Sequence, residues 1–309
     1  MIRMPDYVLA FDVGGTYIKA SIVRCDGAMV DGVHVYPSHA DAPKDELIDH
    51  FSELIQTQAK RVPDGGIIRG VGMAFPGPFD YEKGICQIKG LQKFDALYGV
   101  NLKSELTDRL TALPELKGRW LEAPVIAFEN DAALFALGEC SYGAGRSFSR
   151  VIVLTIGTGF GSAFVSNGHL VKCGEGVPPE GWLYRVPYLD GIMDDHFSRR
   201  GLLRLALETG VADVSAGADD VKRLAERALA GEKRPVEVFQ KWRNRLEDAL
   251  SPVIASFKPD AIILGGQIAK SGTLFVVDQM KGVPVRISDD LSFSTFKGVC
   301  QLFANSTKN

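Results

Sequence analysis

Short apolar runs alternating with stretches of helical period set the pattern of this chain. Val8–Phe11, Ile18–Val23, Val71–Phe75, Val125–Phe128, Val151–Ile156 and Ala261–Leu264 have the length and composition of buried strands. Between them, apolar residues recur three and four apart. Leu47, Ile48, Phe51, Leu54 and Ile55 share one face of Lys44–Arg61, and Phe239, Trp242, Leu246, Leu250 and Val253 share one face of Val236–Phe257. Such alternation predicts an α/β fold with helices packed on sheets. The stretch from Cys173 to Arg200 is rich in Gly, Pro and aromatic residues and has no clear period, which makes it a candidate active-site loop; Gly210–Asp219 reads as a polar turn region.

The strand pattern also repeats. Residues 8–24 (VLAFDVGGTYIKASIVR) and 151–167 (VIVLTIGTGFGSAFVSN) overlay without a gap, so that Phe11 falls on Leu154, Asp12 on Thr155, Gly14 on Gly157, Ala20 on Ala163 and Ile22 on Val165. Gly27 and Gly168 then each open the next run, two residues out of step. A repeat at near half the chain length predicts a duplicated domain, each copy opening with an antiparallel hairpin around a glycine-rich turn.

Composition agrees with two cores and narrows the class of ligand. A chain of 309 residues that is 46% hydrophobic can fill two domains of ordinary size. The formal charge is −3 and Lys and Arg are scattered, which leaves no basic face for nucleic acid and no polybasic membrane anchor. No stretch reaches the roughly 20 apolar residues of a membrane span, and MIRMPDYVLAFDVGG enters a strand-like run without a signal-peptide pattern. A cytoplasmic protein with a small-molecule ligand is the expectation. Cys25, Cys86, Cys140, Cys173 and Cys300 are too widely spaced for a disulfide framework or a paired-cysteine metal knuckle and read as reduced thiols.

Candidate chemistry gathers at the two turns. Gly14, Gly15 and Thr16 offer backbone N–H groups with little side chain in the way, which suits phosphate oxygens, and Thr155, Ile156, Gly157, Thr158 and Gly159 have the same potential. Either turn alone is as easily a plain hairpin; two in register point to phosphate loops. Asp12 at the mouth of the first would repel phosphate unless a cation intervened, which suggests Mg²⁺, direct or through water. Lys19 offers either positive charge to the phosphates or a solvated strand side chain. An Ile–Ile–Leu strand ending in Gly265–Gly266 permits close approach by a flat ring or ribose. Asp131, where the strand Val125–Phe128 gives way to a helical run, reads by itself as an N-cap.

Taken in order, DVGGTYIKASIV, AFPGP, FENDAALFALGE, TIGTGFGSAFV and PDAIILGGQIA resemble the ROK family of sugar kinases and related repressors, over about Val8 to Phe303. The resemblance implies an actin-like (ribonuclease H-like) duplicated α/β fold, two lobes around a central cleft that holds ATP and sugar. It places an N-terminal lobe at residues 1–122, a C-terminal lobe at 123–288, and a C-terminal helix at about 289–309 packing back on the first lobe. By the same resemblance Asp12, Gly14, Gly15 and Thr16 belong to the first phosphate loop, and Thr155, Gly157, Thr158 and Gly159 to the second; Lys19, on the strand that follows, is counted with the phosphate contacts. Gly265 and Gly266 lie against the nucleotide. Asp131 becomes the general base and Asn130 a sugar ligand, with the helix N-terminus keeping the carboxylate ionised. Gly77 and Pro78 of the Pro76–Gly77–Pro78 turn face the sugar, or form an ordinary proline turn. The implied partners are ATP, Mg²⁺ and a small-molecule sugar, without nucleic acid or membrane; the assembly considered is a homodimer.

The chain also departs from the family. Members carry Gly-Glu-x-Gly-His and then a CxCGxxGCxE zinc motif; here the region reads CGEGVPPEGWLYRVPYLDGIMDDHFSRRGLL. Glu180 is the best match for the sugar-binding Glu, with Glu175 its rival. The zinc-ligand His is replaced by Leu183 or a neighbouring aromatic. Only Cys173 and His196 remain besides carboxylates, short of the about four N or S donors of a tetrahedral site, so the expectation is no structural zinc. Asp194 or Asp195 stands in for the motif's final Glu. The reading that follows is ATP-dependent phosphorylation of a hexose-type hydroxyl, as in a glucokinase or N-acetylhexosamine kinase. A catalytically idle sugar sensor and another actin-like phosphotransferase are the alternatives. Repression of DNA is disfavoured, because about seven residues precede the first strand where regulators carry a helix-turn-helix.

Overall fold

Each of the six apolar runs falls within or overlaps a strand, because β-branched and aromatic side chains pack well on a pleated, buried surface. The computed structural model describes residues 6–211, 220–269, 278–288 and 293–304. Part of the expected polar turn region, 212–219, and parts of the expected C-terminal helix, 289–292 and 305–309, lie outside these residues. The chain forms two compact units: one runs through Gly138 and resumes after residue 292, and the other begins at Glu139.

The first unit is built on a five-stranded sheet in the spatial order His34–Pro37, Tyr17–Arg24, Asp6–Val13, Ile67–Ala74, Ile126–Glu129. The first three are antiparallel neighbours, and the last two join in parallel. The strand Ile126–Glu129 pairs with Ile67–Ala74, which draws it into the first unit. The junction therefore falls at Gly138 and Glu139, inside the helix Asp131–Tyr142, rather than at 122 and 123. The helix Lys44–Arg61 has the expected bounds. Acidic Asp45 and Glu46 sit in its first turn and basic Lys60 and Arg61 in its last, each complementing the helix dipole, and Leu47, Ile48, Phe51, Leu54 and Ile55 are buried.

The second unit repeats the scheme. Its sheet runs His169–Leu170, Phe160–Ser166, Arg150–Ile156, Ala261–Gly265, Val283–Ile287, Gln279–Met280, again a hairpin with an antiparallel flank followed by two parallel strands, here with the short Gln279–Met280 antiparallel at the edge. The long helix Lys233–Phe257 begins three residues before the apolar period does. It buries Phe239, Trp242, Leu246 and Leu250 as expected, with Val253 partly buried beside Ile254. The stretch from Cys173 to Arg200 resolves into 3₁₀ turns at Pro179–Gly181 and Leu183–Arg185, a small hairpin of Pro187–Tyr188 with Gly191–Ile192, and the short helix Met193–Phe197. At the C-terminal end, the described residues form two short helices, Ser294–Val299 and Gln301–Ala304. No helix among the described residues is long and apolar enough to cross a membrane.

Candidate active site

In the first unit, register brings three segments to one end of the parallel strands. Asp12 is the partner of Ala74, and Ala74 of Glu129, so Asp12, the turn Pro76–Gly77–Pro78 and the pair Asn130–Asp131 leave the sheet side by side. The C-terminal ends of parallel strands are where α/β sheets place ligands. The hairpin after Asp12 turns through Gly14, Gly15 and Thr16. Gly14 N–H donates to Tyr17 O at 2.9 Å, and a Cβ on Gly14 would stand 2.9 Å from the same oxygen, so the turn itself demands glycine there. Ser38 fixes the far side: its N–H donates to Thr16 O (3.1 Å) and its hydroxyl to Gly15 O (2.7 Å). Lys19 lies opposite Asp12 in the hairpin, its ammonium 3.5 Å from the Asp12 carboxylate.

The proline turn is held by aromatic packing. Phe75 and Phe79 bracket it with ring centroids 4.8 Å apart, Phe94 and Phe128 pack on them, and Tyr81 Oη donates to Phe75 O at 3.0 Å. Gly77 is exposed, and the Gly77–Pro78 peptide is cis.

Asn130 and Asp131 divide their work differently from the sequence reading. Asn130 is the residue that caps the helix: its Oδ1 accepts from Ala132 N–H (3.0 Å) and Ala133 N–H (3.4 Å). Asp131 is the first helical residue, and its carboxylate accepts from Ala132 N–H at 2.8 Å. Although it reaches solvent, Asp131 is closely surrounded by protein. Loss of hydration, the largest influence, and the negative charge of Asp12 raise its pKa above the ordinary carboxylate value, against the lowering by the Ala132 N–H and the Asn130 side chain. The helix N-terminus was expected to keep this group ionised at neutral pH; dehydration works in the opposite direction. Glu129, just before the pair, is buried, and its Oε1 accepts from Asn130 N–H at 2.9 Å. The sequence reading did not single out Glu129, since a carboxylate ending a strand looks solvated until the neighbouring strands cover it.

In the second unit Ile156 pairs with Phe160 across Gly157–Gly159, whereas Val13 pairs with Ile18 across Gly14–Tyr17; the second turn is one residue shorter than the gapless overlay implies. Gly157 N–H donates to Gly159 O at 3.0 Å. A Cβ on Gly157 would meet nothing nearer than Gln267 N at 3.9 Å, and one on Gly159 nothing nearer than Asp194 Oδ1 at 3.5 Å. The folded chain leaves space at both glycines. Thr155 is the strand partner of Gly265, and Ile268 N–H donates to Ile156 O at 2.9 Å, which brings Gly265 and Gly266 against the turn. Gly266 has φ +90°, and a Cβ there would collide with Ile156 O, so packing alone accounts for that glycine.

Glu180 is exposed, has a left-handed backbone (φ +59°) and lies 3.8 Å from Lys172. Its turn is fastened to the hairpin by Ser162, whose hydroxyl donates to Gly181 O (2.7 Å) and accepts from Leu183 N–H (2.8 Å). Glu175 and Cys173 are exposed. Leu183 is fully buried in the hydrophobic core, and His196 lies 3.0 Å from Asp190 with Arg204 donating to its Nδ1 at 3.0 Å. Asp194 and Asp195, alternatives in the sequence, part company. Asp194 Oδ1 accepts from Phe160 N–H at the second turn (2.7 Å), whereas Asp195 accepts from Ile192 N–H (3.1 Å).

Comparison with known proteins agrees with this architecture. The chain is 27% identical over 290 residues to a glucokinase of Thermotoga maritima, covering 86% of this chain and 84% of that protein. It is 25% identical to the N-acetyl-D-glucosamine kinase of Mannheimia succiniciproducens (86% and 85% covered) and to the xylose repressor of Bacillus subtilis (93% and 71%). Among solved structures, a ROK family glucokinase from Streptomyces griseus, in complex with glucose and AMPPNP, matches with a TM-score of 0.67 at 20% identity over 96% of this chain and 98% of that one, which shows the shared actin-like fold. The family model described as ROK matches residues 8–286, and with that match over most of its length the chain belongs to the ROK family.

Proposed function

We propose that the protein transfers the γ-phosphoryl group of ATP to a hydroxyl of a hexose-type sugar, with the 6-hydroxyl of glucose or of an N-acetylhexosamine the first acceptors to test. The observation that carries this reading is Asp131: a solvent-reachable carboxylate at a helix start, made more basic by its surroundings and held beside the capping residue Asn130. The glucokinase and N-acetylglucosamine kinase among its relatives support the same reaction class.

In this mechanism Asp131 accepts the proton of the sugar hydroxyl as its oxygen bonds to the γ-phosphorus and the bond to the β–γ bridging oxygen breaks, releasing ADP. Raised basicity suits that task, because proton acceptance improves as the carboxylate pKa rises towards the working pH. Asn130, its acceptor oxygen spent on the helix, presents its amide to the sugar, and the exposed backbone of Gly77 with Pro78 lines the same end of the sheet. Glu180 is a further sugar contact in this reading. Gly14, Gly15 and Thr16 serve as a phosphate loop, with Lys19 adding charge beside Asp12. Thr155, Gly157, Thr158 and Gly159 form a second phosphate loop, and Gly265 and Gly266 back the nucleotide. Asp12 fits a Mg²⁺ ligand, being partly exposed and, among the described residues, paired with Lys19 at 3.5 Å. When bound, that ion offsets charge on the β- and γ-phosphates; the rest is positioning.

Purified protein incubated with ATP, Mg²⁺ and a panel of hexoses should release ADP with at least one of them. The similarity to a xylose repressor favours one second reading, a sugar sensor without turnover. A protein that binds sugar and ATP together yet releases no ADP above its Asp131→Asn variant would establish the sensor and remove the kinase.

A further inference from the structure

One short segment grips the second glycine turn at both ends. Asp194 Oδ1 accepts the N–H of Phe160, which closes the turn, at 2.7 Å, and Arg199 N–H donates to the carbonyl of Gly157, which opens it, at 2.8 Å. The segment is itself fixed on several sides. Arg199 forms a two-pronged ion pair with the buried carboxylate of Asp220, Trp242 Nε1–H donates to His196 O at 3.2 Å, and Asp195 caps the turn at Ile192. Phe197, fully buried, stacks against Phe160 (5.5 Å) and Trp242 (5.8 Å). The remaining oxygen of Asp194 meets Arg200 at 3.1 Å.

A glycine turn gains its close approach by giving up side chains, and with them its own rigidity. Gly157 and Gly159 have room around them, so their neighbours do not pin them by contact. Something else has to fix the turn if its amides are to meet phosphate oxygens without an ordering cost at binding. We propose that Asp194 is the positioning residue of the second turn: its carboxylate, acting with the Arg199 backbone, holds Gly157–Phe160 in the shape that receives the phosphate donor. The inference rests on the reading of that turn as a nucleotide site. Asp194 acts through the Phe160 amide rather than by touching the donor, and the feature needed at position 194 is an acceptor oxygen at that distance, not a negative charge.

The pair Asp194→Ala and Asp194→Asn separates the two. Alanine removes the acceptor; asparagine keeps an oxygen for the Phe160 N–H and gives up the ion pair with Arg200. ATP affinity by calorimetry should fall about tenfold or more in the alanine variant, the scale of one hydrogen bond to a charged group, and stay within about twofold of wild type in the asparagine variant. Sugar KM should be unmoved in both. Equal loss in the two variants, wild-type ATP affinity in Asp194→Ala, or parallel loss of ATP and sugar binding would each overturn the proposal. Should Asp194→Ala not fold, Asp194→Glu takes its place. That variant keeps the charge but displaces the oxygen by a methylene, so weakened ATP binding is expected and wild-type affinity refutes the idea. Gly157→Ala, measured alongside, tests the underlying reading: unchanged ATP affinity there removes the nucleotide site itself, whereas loss in Gly157→Ala with none in Asp194→Ala removes only the positioning role.

Discussion

Gly14 and Gly157 occupy matching places in the two hairpins, yet the chain has opposite reasons for them. A side chain at Gly14 would press on Tyr17 O, so the fold needs that glycine whatever binds nearby. Gly157 has a clear 3.9 Å around its absent Cβ, so folding places little demand on it. Gly157→Ala should therefore keep the wild-type melting temperature and lose ATP affinity, as calorimetry would show, while Gly14→Ala should melt earlier. At Asp131 the raised pKa gives two linked expectations. The acid limb of kcat/KM should lie above the ordinary carboxylate range, because the base must be ionised. The folded state binds the Asp131 proton more tightly than the unfolded state, so this group's contribution to stability is full below the unfolded pKa, about 3.9, and is lost as pH rises through the folded value. Asp131→Asn should accordingly match wild type in stability at low pH and gain on it towards neutrality, while kcat falls by roughly 10²–10⁴-fold and ATP binding persists. Denaturant titrations across pH, beside steady-state rates, check both halves.

Among the elements, the helix Asp131–Tyr142 carries the most consequence for the site. It crosses the short helix Ser294–Val299 so closely that a Cβ on Gly138 would collide with Ser294 O, and one on Gly298 with Leu134 O. Backbones can approach in this way only where side chains are missing. Gly138→Ala or Gly298→Ala should cost about 1–3 kcal/mol of stability, the range for overpacking a filled interior, and should reduce kcat as well, since Asp131 rides on the same helix. Thermal melts with turnover measured below the transition would show it; a variant as stable as wild type would mean that the helices can part at little cost. The cap at the start of this helix makes Asn130→Ala ambiguous, because it removes the proposed sugar contact and about 1 kcal/mol of capping together. Asn130→Ser, which can still cap, isolates the sugar contact.

At the scale of the whole molecule, Leu183 is buried in the core and His196 is paired with Asp190 and Arg204, which fits the expectation of no structural zinc. EDTA should thus abolish turnover by removing Mg²⁺ from the nucleotide and leave the melting temperature unchanged, and elemental analysis should find no stoichiometric zinc. The α/β class, the duplication and the helix Lys44–Arg61 were legible in the chain because they rest on local period and apolar runs. The rest depends on pairing between distant residues. Register decides that the second turn is one residue shorter, a ladder to Ile67–Ala74 moves Ile126–Glu129 into the first unit, and the bond from Asp194 to Phe160 spans 34 positions with no local pattern to announce it.

The contact between Gly138 and Ser294 also sets an order in time. The residues that lock the Asp131 helix lie beyond the whole second unit in sequence, so during synthesis the first unit emerges with this face uncovered. At about 5–20 residues per second, the missing piece arrives on the order of ten seconds later. During that interval the surface against which Phe296 and Val299 later pack stays uncovered, although the finished protein hides it. Ribosomes stalled just before codon 294 should hold chains whose first unit is readily cut by protease, and stalling within a linker fused after residue 309, long enough to carry residues 294–304 clear of the exit tunnel, should make it resistant.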